Sequence, residues 1–284
     1  MQEISIRVGR MKRYLRALYS LLKTMAKDPH VSAQVLKTVP SSCSAHTFAQ
    51  TYKETIQQAD VQVSSSANPL WEYFQKCKEG HGIWKWEHYF DIYHRHFAQF
   101  IGKKVNVLEI GVYSGGSLEM WRSYFGEKSH IYGVDIEEAC KAYENDYTTI
   151  FIGDQADRDF WRTLRERVGG VDILIDDGGH TPEQQQITVE EMLPCLKPGG
   201  VYLCEDVHGY FNRFSAFACG LVNDLNHLNR IPGSMLQSSV SPFQSSIHSI
   251  HFYPYVVVIE KNRVPPTKLS APKHGTEWQP FLRE

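Results

Sequence analysis

Short apolar runs alternate with stretches of helical length from residue 105 onward, and this alternation constrains the fold more than any other feature. Strands separated by helices of about ten residues or more imply a largely parallel sheet with both faces covered. The predicted strands are 105–110, 130–135, 148–152, 171–176, 200–205 and two more near 246–260, and the predicted helices are 116–125, 156–168, 183–195 and 212–228. The chain is therefore expected to be an α/β protein with a doubly wound, mostly parallel sheet of seven strands.

The last two strands are expected to form an antiparallel hairpin at the edge of the sheet. Pro254 stands between them, and proline is tolerated at a sheet edge. The sequence Lys197-Pro198-Gly199-Gly200 predicts a turn before the fifth strand. Residues from Pro265 onward are predicted to form an irregular tail.

Two of the apolar runs end abruptly in acidic residues. The fourth run ends in Asp176 and Asp177, and the fifth ends in Glu205 and Asp206. A carboxylate pair at a strand end is costly unless water, a cation or a ligand meets it. Two such ends side by side concentrate negative charge in one crevice, which suits a divalent metal ion held by oxygen ligands. Because Asp176 directly precedes Asp177, its side chain should point the other way and serve the structure or a cofactor.

Two histidines lie close to these acids in the sequence. His180, three residues after Asp177, is a candidate general base near neutral pH, although it could instead cap the helix that follows it. His208 could touch a substrate or support a residue that does. Glu205 and Asp206 could instead be salt-bridge partners. The metal hypothesis requires the oxygens of Asp177, Glu205 and Asp206 to converge, and not to be neutralised already by lysine or arginine.

A glycine-rich turn follows the first strand. Gly111 permits a backbone geometry that a side chain would resist, and Gly115 and Gly116 allow the chain to approach a ligand closely. Ser117 is a candidate cap for the next helix. Since ligands of open parallel sheets sit beyond the carboxyl ends of the strands, this turn is a candidate cofactor site.

Further acids end the second and third strands. Asp135 lies 24 positions after Gly111, close to the spacing of about 20 expected for a carboxylate that binds ribose hydroxyls. Asp154, followed by Gln155, could accept a hydrogen bond from an adenine amino group. The alternative for both aspartates is a helix cap. Glu109, just before the glycine turn, would repel a pyrophosphate and suits a cationic ligand such as S-adenosylmethionine, although it could instead make structural hydrogen bonds.

The order of motifs resembles class I S-adenosylmethionine-dependent methyltransferases, which have a Rossmann-like fold. The motifs are E-x-G-x-x-x-G-G, G-V-D, G-D, I-D-D-G-x-H, L-K-P-G-G and E-D. Asp177-Gly178-Gly179-His180 and Glu205-Asp206 are most similar to metal-dependent sugar O-methyltransferases of the macrocin and mycinamicin type, a group that includes cephalosporin-hydroxylase-like proteins. The resemblance covers about residues 80–262.

This resemblance implies a role for each matching residue. It implies that Asp177, Glu205 and Asp206 bind Mg²⁺ and that His180 is the general base. The expected contacts with S-adenosylmethionine come from the glycine turn and the strand ends: Glu109, Gly111, Tyr113, Gly115, Ser117, Asp135, Asp154, Gln155 and Asp176. A lid over cofactor and substrate is expected in a tryptophan-rich segment, where Trp86, His88 and Tyr89, together with His208, could contact substrate or simply pack against a helix.

The N-terminal part differs in character from the rest. Residues 10–27 carry six basic residues and no acid, with leucines at helical spacing. Such a helix could lie on an anionic membrane, but packing on its own domain or on a partner subunit is favoured. The predicted divisions are a helical segment 1–68, an aromatic lid and linker 69–104, a catalytic domain 105–262 and a tail 263–284.

Composition excludes several function classes. The net charge of −2 and the absence of an arginine-rich strip argue against nucleic-acid binding. Six scattered cysteines without a C-x-x-C pair argue against structural zinc and fit reduced thiols in a cytoplasmic protein. No apolar stretch approaches the ~20 residues that span a bilayer. A homo-oligomer is expected, because similar enzymes often oligomerise.

The leading hypothesis is a Mg²⁺- and S-adenosylmethionine-dependent O-methyltransferase that acts on a small-molecule hydroxyl, first a sugar of a glycosylated natural product and second a catechol-like phenol. One rival is a non-catalytic binding protein that docks through its basic N-terminal helix. Others are an NAD-dependent oxidoreductase and a hydroxylase, although no two-histidine-one-carboxylate iron triad stands out in the sequence.

Overall fold

The computed structural model describes residues 15–16, 18–52, 68–233 and 236–275, in two compact units, Met1–Ser64 and Ser65–Glu284. In the first unit, residues 18–27 are helical, and helix α1 spans Pro29–Thr51 with the Asp28 side chain capping its start. No residue of α1 is buried. Arg10, Lys12 and Arg13 of the predicted basic helix lie outside the described residues, as do residues 53–67 of the predicted helical segment 1–68.

The second unit is built on a seven-stranded sheet whose order is β3-β2-β1-β4-β5-β9-β8. The strands are β1 Asn106–Ile110, β2 His130–Asp135, β3 Thr148–Ile152, β4 Val171–Asp176, β5 Leu196–Cys204, β8 Ile247–Tyr253 and β9 Val256–Lys261. The first five run parallel, and β9 is antiparallel to both β5 and β8. This confirms the predicted fold class, including the edge hairpin.

Helices cover both faces of this sheet because successive strand residues point to opposite sides. Val107 belongs to one hydrophobic core and its neighbour Leu108 to the other. Buried residues of α2 Pro69–Lys76, α3 Tyr89–Phe97 and α4 Gly116–Phe125 fill the first core, and those of α5 Arg158–Val168, α6 Pro182–Met192 and α7 Arg213–Leu225 fill the second. Trp121 and Trp161, both fully buried, are among the largest side chains of the two cores.

The strand order reverses between β1 and β4, which places the ends of these two neighbours at one crevice. The Asp177 backbone N–H donates to the Ile110 carbonyl at 3.0 Å, and the Glu205 N–H donates to the Asp176 carbonyl at 2.9 Å. The residues that follow β1, β4 and β5 therefore lie side by side, as the parallel topology predicts.

Two local predictions were wrong. The predicted turn at 197–200 lies inside β5, which begins at Leu196 and has an irregular register where it pairs with β4. Gly199 adopts a φ of +77° there, so the glycine serves a bulge and not a loop. The predicted tail contains β10 Lys268–Ser270, which pairs with β7 Gln237–Ser239, and β7 pairs in turn with β6 Asn229–Arg230. A short helix, α8 Pro242–Ser246, precedes β8.

Within the described part of the chain, no helix has both the length and the apolar character that crossing a membrane would require.

A glycine-to-alanine pair tests the crowding at the crevice. Both Gly102 and Gly111 have positive φ, +73° and +88°, so alanine at either position should cost about 1–2 kcal/mol in backbone energy. A Cβ at Gly102 would meet open space, whereas one at Gly111 would lie 2.0 Å from the Asp177 carbonyl oxygen. We expect Gly111→Ala to lower the melting temperature clearly more than Gly102→Ala, measured by calorimetry. Equal decreases in the melting temperatures of the two variants would contradict the close approach of Gly111 to the Asp177 carbonyl.

Candidate functional site

A cavity of about 790 Å³ lies beyond the carboxyl ends of β1 to β5. It is lined by most of the predicted site residues, namely Trp86, Tyr89, Gly111, Tyr113, Ser117, Asp135, Asp154, Gln155, Asp177, His180, Glu205, Asp206 and His208. Four predicted residues do not line it, namely His88, Glu109, Gly115 and Asp176. Its volume falls within the range of about 300–1,000 Å³ that is usual for small-molecule sites.

The glycine turn and Asp135 form one wall of the cavity. The Asp135 Oδ2 atom accepts hydrogen bonds from the backbone N–H groups of Val112 at 2.8 Å and Tyr113 at 3.0 Å. Burial on its own would raise the pKa of Asp135, but backbone donors outweigh it and hold that pKa below its usual value. Asp135 therefore stays ionised and holds the turn after β1 in place, while it still faces the cavity.

Asp176 is directed away from the cavity, as its alternation with Asp177 predicts. Its carboxylate accepts hydrogen bonds from Gln155 Nε2 at 2.6 Å and from the Tyr202 hydroxyl at 3.0 Å. Burial raises the pKa of Asp176 to about 6 although these donors oppose the shift. Gln155 also accepts from the Gly179 backbone N–H at 3.0 Å. Asp176 thus positions the loop after β4 through Gln155.

The helix-cap alternatives for His180 and Asp154 are not realised. The cap of α6 is Thr181, which forms a capping box with Gln184, and the cap of α5 is Asp157. The predicted cap Ser117 is also not used in that way, because α4 begins after Gly115 and no side chain caps it. His180 and Asp154 therefore remain as cavity-lining side chains.

A lysine that the sequence analysis did not single out lies among the acids. Lys85 Nζ donates to Asp177 Oδ2 at 2.5 Å and to the two Glu205 oxygens at 3.1 and 3.0 Å, and it lies 3.8 Å from Glu109 Oε1. The Lys85 side chain is 3% exposed and that of Glu205 is 1% exposed. The ammonium is thus a buried cation held by three carboxylates.

The charges of these groups are strongly coupled. Burial on its own would lower the pKa of Lys85, but the charges of Asp177, Glu205 and Glu109 outweigh it and raise the pKa above its usual value. Burial and the nearby charge of Asp177 raise the pKa of Glu205, and Lys85 opposes that rise. Lys85 therefore remains an ammonium at neutral pH and cannot act as a base there.

Glu109 contacts a cation, but that cation belongs to the chain. Its carboxylate is fully buried below the cavity, where Oε2 accepts a hydrogen bond from Ser117 Oγ at 2.7 Å. Burial raises the pKa of Glu109, and Lys85 and Ser117 lower it in opposition. Because Lys85 offsets this negative charge, Glu109 would repel a pyrophosphate less strongly than the sequence alone predicts.

Asp206 and His180 form the outer side of the acidic group. Asp206 Oδ1 accepts hydrogen bonds from Trp86 Nε1 at 3.1 Å and from the Tyr89 hydroxyl at 2.8 Å. Its other oxygen lies 3.6 Å from His180 Nε2, and Asp177 Oδ1 lies 4.0 Å from the same nitrogen. Asp206 and His180 both adopt a positive φ, +53° and +56°, which is uncommon for residues other than glycine and typical of functional loops.

The metal hypothesis requires that the three acids converge and that no lysine or arginine neutralises them. The structure meets the first requirement for two of the three acids. Ligand atoms of Asp177, His180 and Asp206 lie within 4.8 Å of one another, so two predicted metal ligands converge. Glu205 is directed to Lys85 instead, and the ammonium neutralises Asp177 as well. The requirement that no lysine neutralise the acids is therefore not met. The Lys85 ammonium nevertheless shows that this group of oxygens holds a cation.

Residues 81–89, which we name the Lys85 segment, carry this lysine over the cavity. The segment packs closely on α4, since a Cβ at Gly116 would lie 2.5 Å from the carbonyl oxygens of His81 and Gly82. At its other end His88 Nε2 contacts the Pro254 carbonyl at 3.0 Å, which explains why His88 does not line the cavity. Trp84 is 87% exposed at the cavity mouth.

A second group with metal-binding side chains is formed by α3 and the hairpin of β8 and β9. His96 Nδ1 contacts Glu260 Oε1 at 2.8 Å, and His251 Nε2 lies 3.4 Å from Glu260 Oε2. The two-histidine-one-carboxylate set that was not expected from the sequence is therefore assembled by the fold. Tyr253 and Ser249 complete its hydrogen bonds at 2.9 and 2.8 Å, and none of its three members lines the cavity.

Comparison with known proteins finds a family match over the part of the chain that supplies most of the cavity lining. Residues 108–207, which include the glycine turn and the acids after β4 and β5, match a family model described as a methyltransferase domain. The structure is similar to that of the MycE methyltransferase from the mycinamycin biosynthetic pathway in complex with Mg, SAH and mycinamycin VI. That match has a TM-score of 0.57 and 28% identity and covers 69% of this chain and 53% of the other.

Curated relatives show the same similarity in sequence. The chain is 33% identical over 202 residues to the 8-demethyl-8-alpha-L-rhamnosyl tetracenomycin-C 2'-O-methyltransferase of Streptomyces olivaceus, covering 64% of this chain and 52% of the relative. It is 36% identical over 182 residues to the demethylmacrocin O-methyltransferase of Streptomyces fradiae, covering 59% of this chain and 45% of the relative. The chain thus spans about half the length of these relatives.

The Tyr89 hydroxyl is expected to stabilise the contact between α3 and the loop after β5. It donates to Asp206 Oδ1 and accepts from the Asp206 backbone N–H at 3.2 Å. We expect Tyr89→Phe to lower the free energy of unfolding by about 1–3 kcal/mol, because a half-buried carboxylate loses a donor. Tyr113→Phe, at a side chain that is 74% exposed, is the matched control and should change stability little. Equal stability of the two variants in urea titrations would contradict the role of Tyr89.

Proposed function

We propose, from the premise that residues 108–207 carry a methyltransferase domain, that this chain transfers a methyl group from S-adenosylmethionine to a hydroxyl group of a small molecule. The resemblance to methyltransferases that the motifs indicated is confirmed by that match and by the similarity to MycE. The observation that carries the proposal is one cavity in which the glycine turn after β1 meets the acids and His180 after β4 and β5.

The cofactor is proposed to lie along the turn after β1 and the ends of β2 and β3. When bound, S-adenosylmethionine supplies an electrophilic methyl group. Gly111 leaves room for close approach, and the ionised Asp135 carboxylate faces the same wall. Asp154 and Gln155 line the end of this wall, where Asp154 is proposed to accept from an adenine amino group. MycE in complex with SAH supports this use of the fold.

His180 is proposed as the residue that takes the acceptor's proton. Its Nε2 atom lies beside Asp206 and Asp177, at the point where the cavity meets the acidic group. Asp206 and Asp177 lie 3.6 and 4.0 Å from this nitrogen, so two carboxylates face the ring. Asp206 is in turn held by Trp86 and Tyr89, so the position of His180 depends on these hydrogen bonds. A positioned base of this kind typically contributes about 10²–10⁴-fold to the rate.

A divalent cation, proposed as Mg²⁺, would be held by Asp177 and Asp206, with Glu205 as a third ligand. Carboxylate oxygens are the donors that this ion prefers, and MycE supports the proposal because it forms a complex with Mg. When bound, the ion supplies positive charge that favours loss of a proton from an acceptor hydroxyl. The cation that the structure shows at the Asp177 and Glu205 oxygens is the Lys85 ammonium.

The acceptor is proposed to be a sugar of a glycosylated natural product, with a catechol-like phenol as the second choice. The name of one relative supports the sugar, since it describes 2'-O-methylation of a rhamnosyl tetracenomycin. The exposed rings of Trp84 and Trp86 at the cavity mouth offer flat apolar surface for the sugar face or its aglycone.

Chelation tests the metal and the cofactor separately. We expect calorimetry to show binding of S-adenosylhomocysteine and none of NAD, with the affinity unchanged by EDTA because none of the residues proposed to hold the cofactor is a proposed metal ligand. Methyl transfer to a panel of rhamnosylated and other glycosylated compounds should fall to background in EDTA and recover with excess Mg²⁺. Full activity in EDTA would exclude the metal and leave Lys85 as the cation of the site.

Replacement of His180 tests its role as base. We expect His180→Ala to lower kcat by about 10²-fold or more, as for other general bases, with the affinity for S-adenosylhomocysteine unchanged. His248→Ala, at an exposed position on β8, is the matched control and should leave kcat and KM as in the parent. Parental turnover in His180→Ala would rule this histidine out.

A further inference from the structure

The position of Lys85 bears on how any divalent cation can reach the acids. Its ammonium has three N–H donors, and the contacts to Asp177 Oδ2 and to both Glu205 oxygens use all of them. Mg²⁺ binds oxygen at about 2.0–2.1 Å, so an ion shared by Asp177 and Glu205 must lie between the same oxygens that now hold Nζ. The two cations therefore compete for one position.

The carboxylates around Lys85 carry more negative charge than the ammonium neutralises. A second cation would nevertheless be repelled while the ammonium remains there. Asp177, Glu205 and Glu109 all lie within 3.8 Å of Nζ, so three carboxylates face one ammonium. A divalent ion would neutralise this group better than the lysine does. It would also lie within a few ångströms of Nζ if Lys85 stayed, and that repulsion is strong in a buried site.

Lys85 is also connected to Asp206, because residues that follow Lys85 in the chain donate hydrogen bonds to this carboxylate. Trp86 directly follows Lys85 and donates to Asp206 Oδ1, and Tyr89 does so three residues later. Asp206 is the proposed ligand nearest to His180 Nε2, at 3.6 Å. Displacement of Lys85 therefore also affects the contacts that hold Asp206 and the ring of Trp86.

We propose that the Lys85 ammonium and a divalent cation are alternative occupants of the Asp177–Glu205 pair, so that the metal binds only when Lys85 leaves. Lys85 then keeps the two acids paired in the metal-free protein and lowers the affinity of the site for metal. This inference rests on the proposed function of the cavity, because it assumes that a divalent cation is used there. It makes Lys85 a positioning residue and not a catalytic one.

The test is direct measurement of Mn²⁺ affinity, by the electron paramagnetic resonance signal of the free ion, without cofactor or acceptor. We expect Lys85→Met to bind Mn²⁺ at least about tenfold more tightly than the parent, because the competing charge is gone. Lys78→Met is the matched control; it removes an exposed lysine seven positions upstream and should leave the affinity unchanged. Lys85→Arg keeps the charge and should not tighten binding.

A second measurement uses the unaltered protein and does not depend on how a variant folds. Acetylation of lysines by a water-soluble reagent, followed by mass spectrometry, should be slow at the buried Lys85 without metal and faster with saturating Mn²⁺. Labelling of Lys78 should not change. Faster labelling of Lys85 supports the exchange, and unchanged labelling at a saturated site overturns it.

The outcomes separate this inference from the proposed function. If the parent binds Mn²⁺ and Lys85→Met binds it no more tightly, the competition is wrong and the metal proposal stands. If neither protein binds Mn²⁺, both the competition and the metal part of the proposed function fail. Binding of S-adenosylhomocysteine, measured in parallel, tests the methyltransferase proposal independently of both.

Discussion

The buried ion pair network of Lys85 is the interaction on which the arrangement of this site depends. The acids after β4 and β5 are placed side by side by the sheet, and Glu109 lies below them on β1. Buried carboxylates without a counter-charge would be strongly destabilising, so the loops could not keep this geometry alone. Lys85 supplies that charge from a segment between α2 and α3. The Lys85 segment is therefore held at one side of the cavity by ion pairs as well as by packing.

The fold could be predicted from the sequence because its signals are local. Each strand from β1 to β5 is a short apolar run, each interval is long enough for a helix, and the parallel order follows from that alternation. The structure places Asp177 beside the turn at Gly111, since neighbouring parallel strands end at one edge. Reasoning from local signals failed at Gly199 and at β10, where a bulge and a three-residue strand have the same composition as a loop.

The part of the candidate site that the strand pattern predicted consists of residues at strand ends. Asp135, Asp154 and Asp177 line the cavity because each stands at or just after a strand end. Lys85 lies 92 positions from Asp177 and 120 from Glu205. The periodicity of apolar residues does not indicate contacts between residues so far apart in the sequence. The available signal was chemical: several acids expected to be buried together need a cation, and Lys85 stands between two tryptophans in a segment expected to cover them.

Because Lys85 and the proposed metal share the same oxygens, the effect of losing one acid has two sources. Replacing Asp177 with asparagine would remove a metal ligand and at the same time free Lys85 from its shortest contact, and these changes act on metal affinity in opposite directions. A modest loss of affinity in that variant would therefore understate the role of Asp177. The contribution of each acid can be measured only in a double-mutant cycle that combines its replacement with Lys85→Met. In this cycle, the non-additive part of the change in metal affinity measures the competition between Lys85 and the metal.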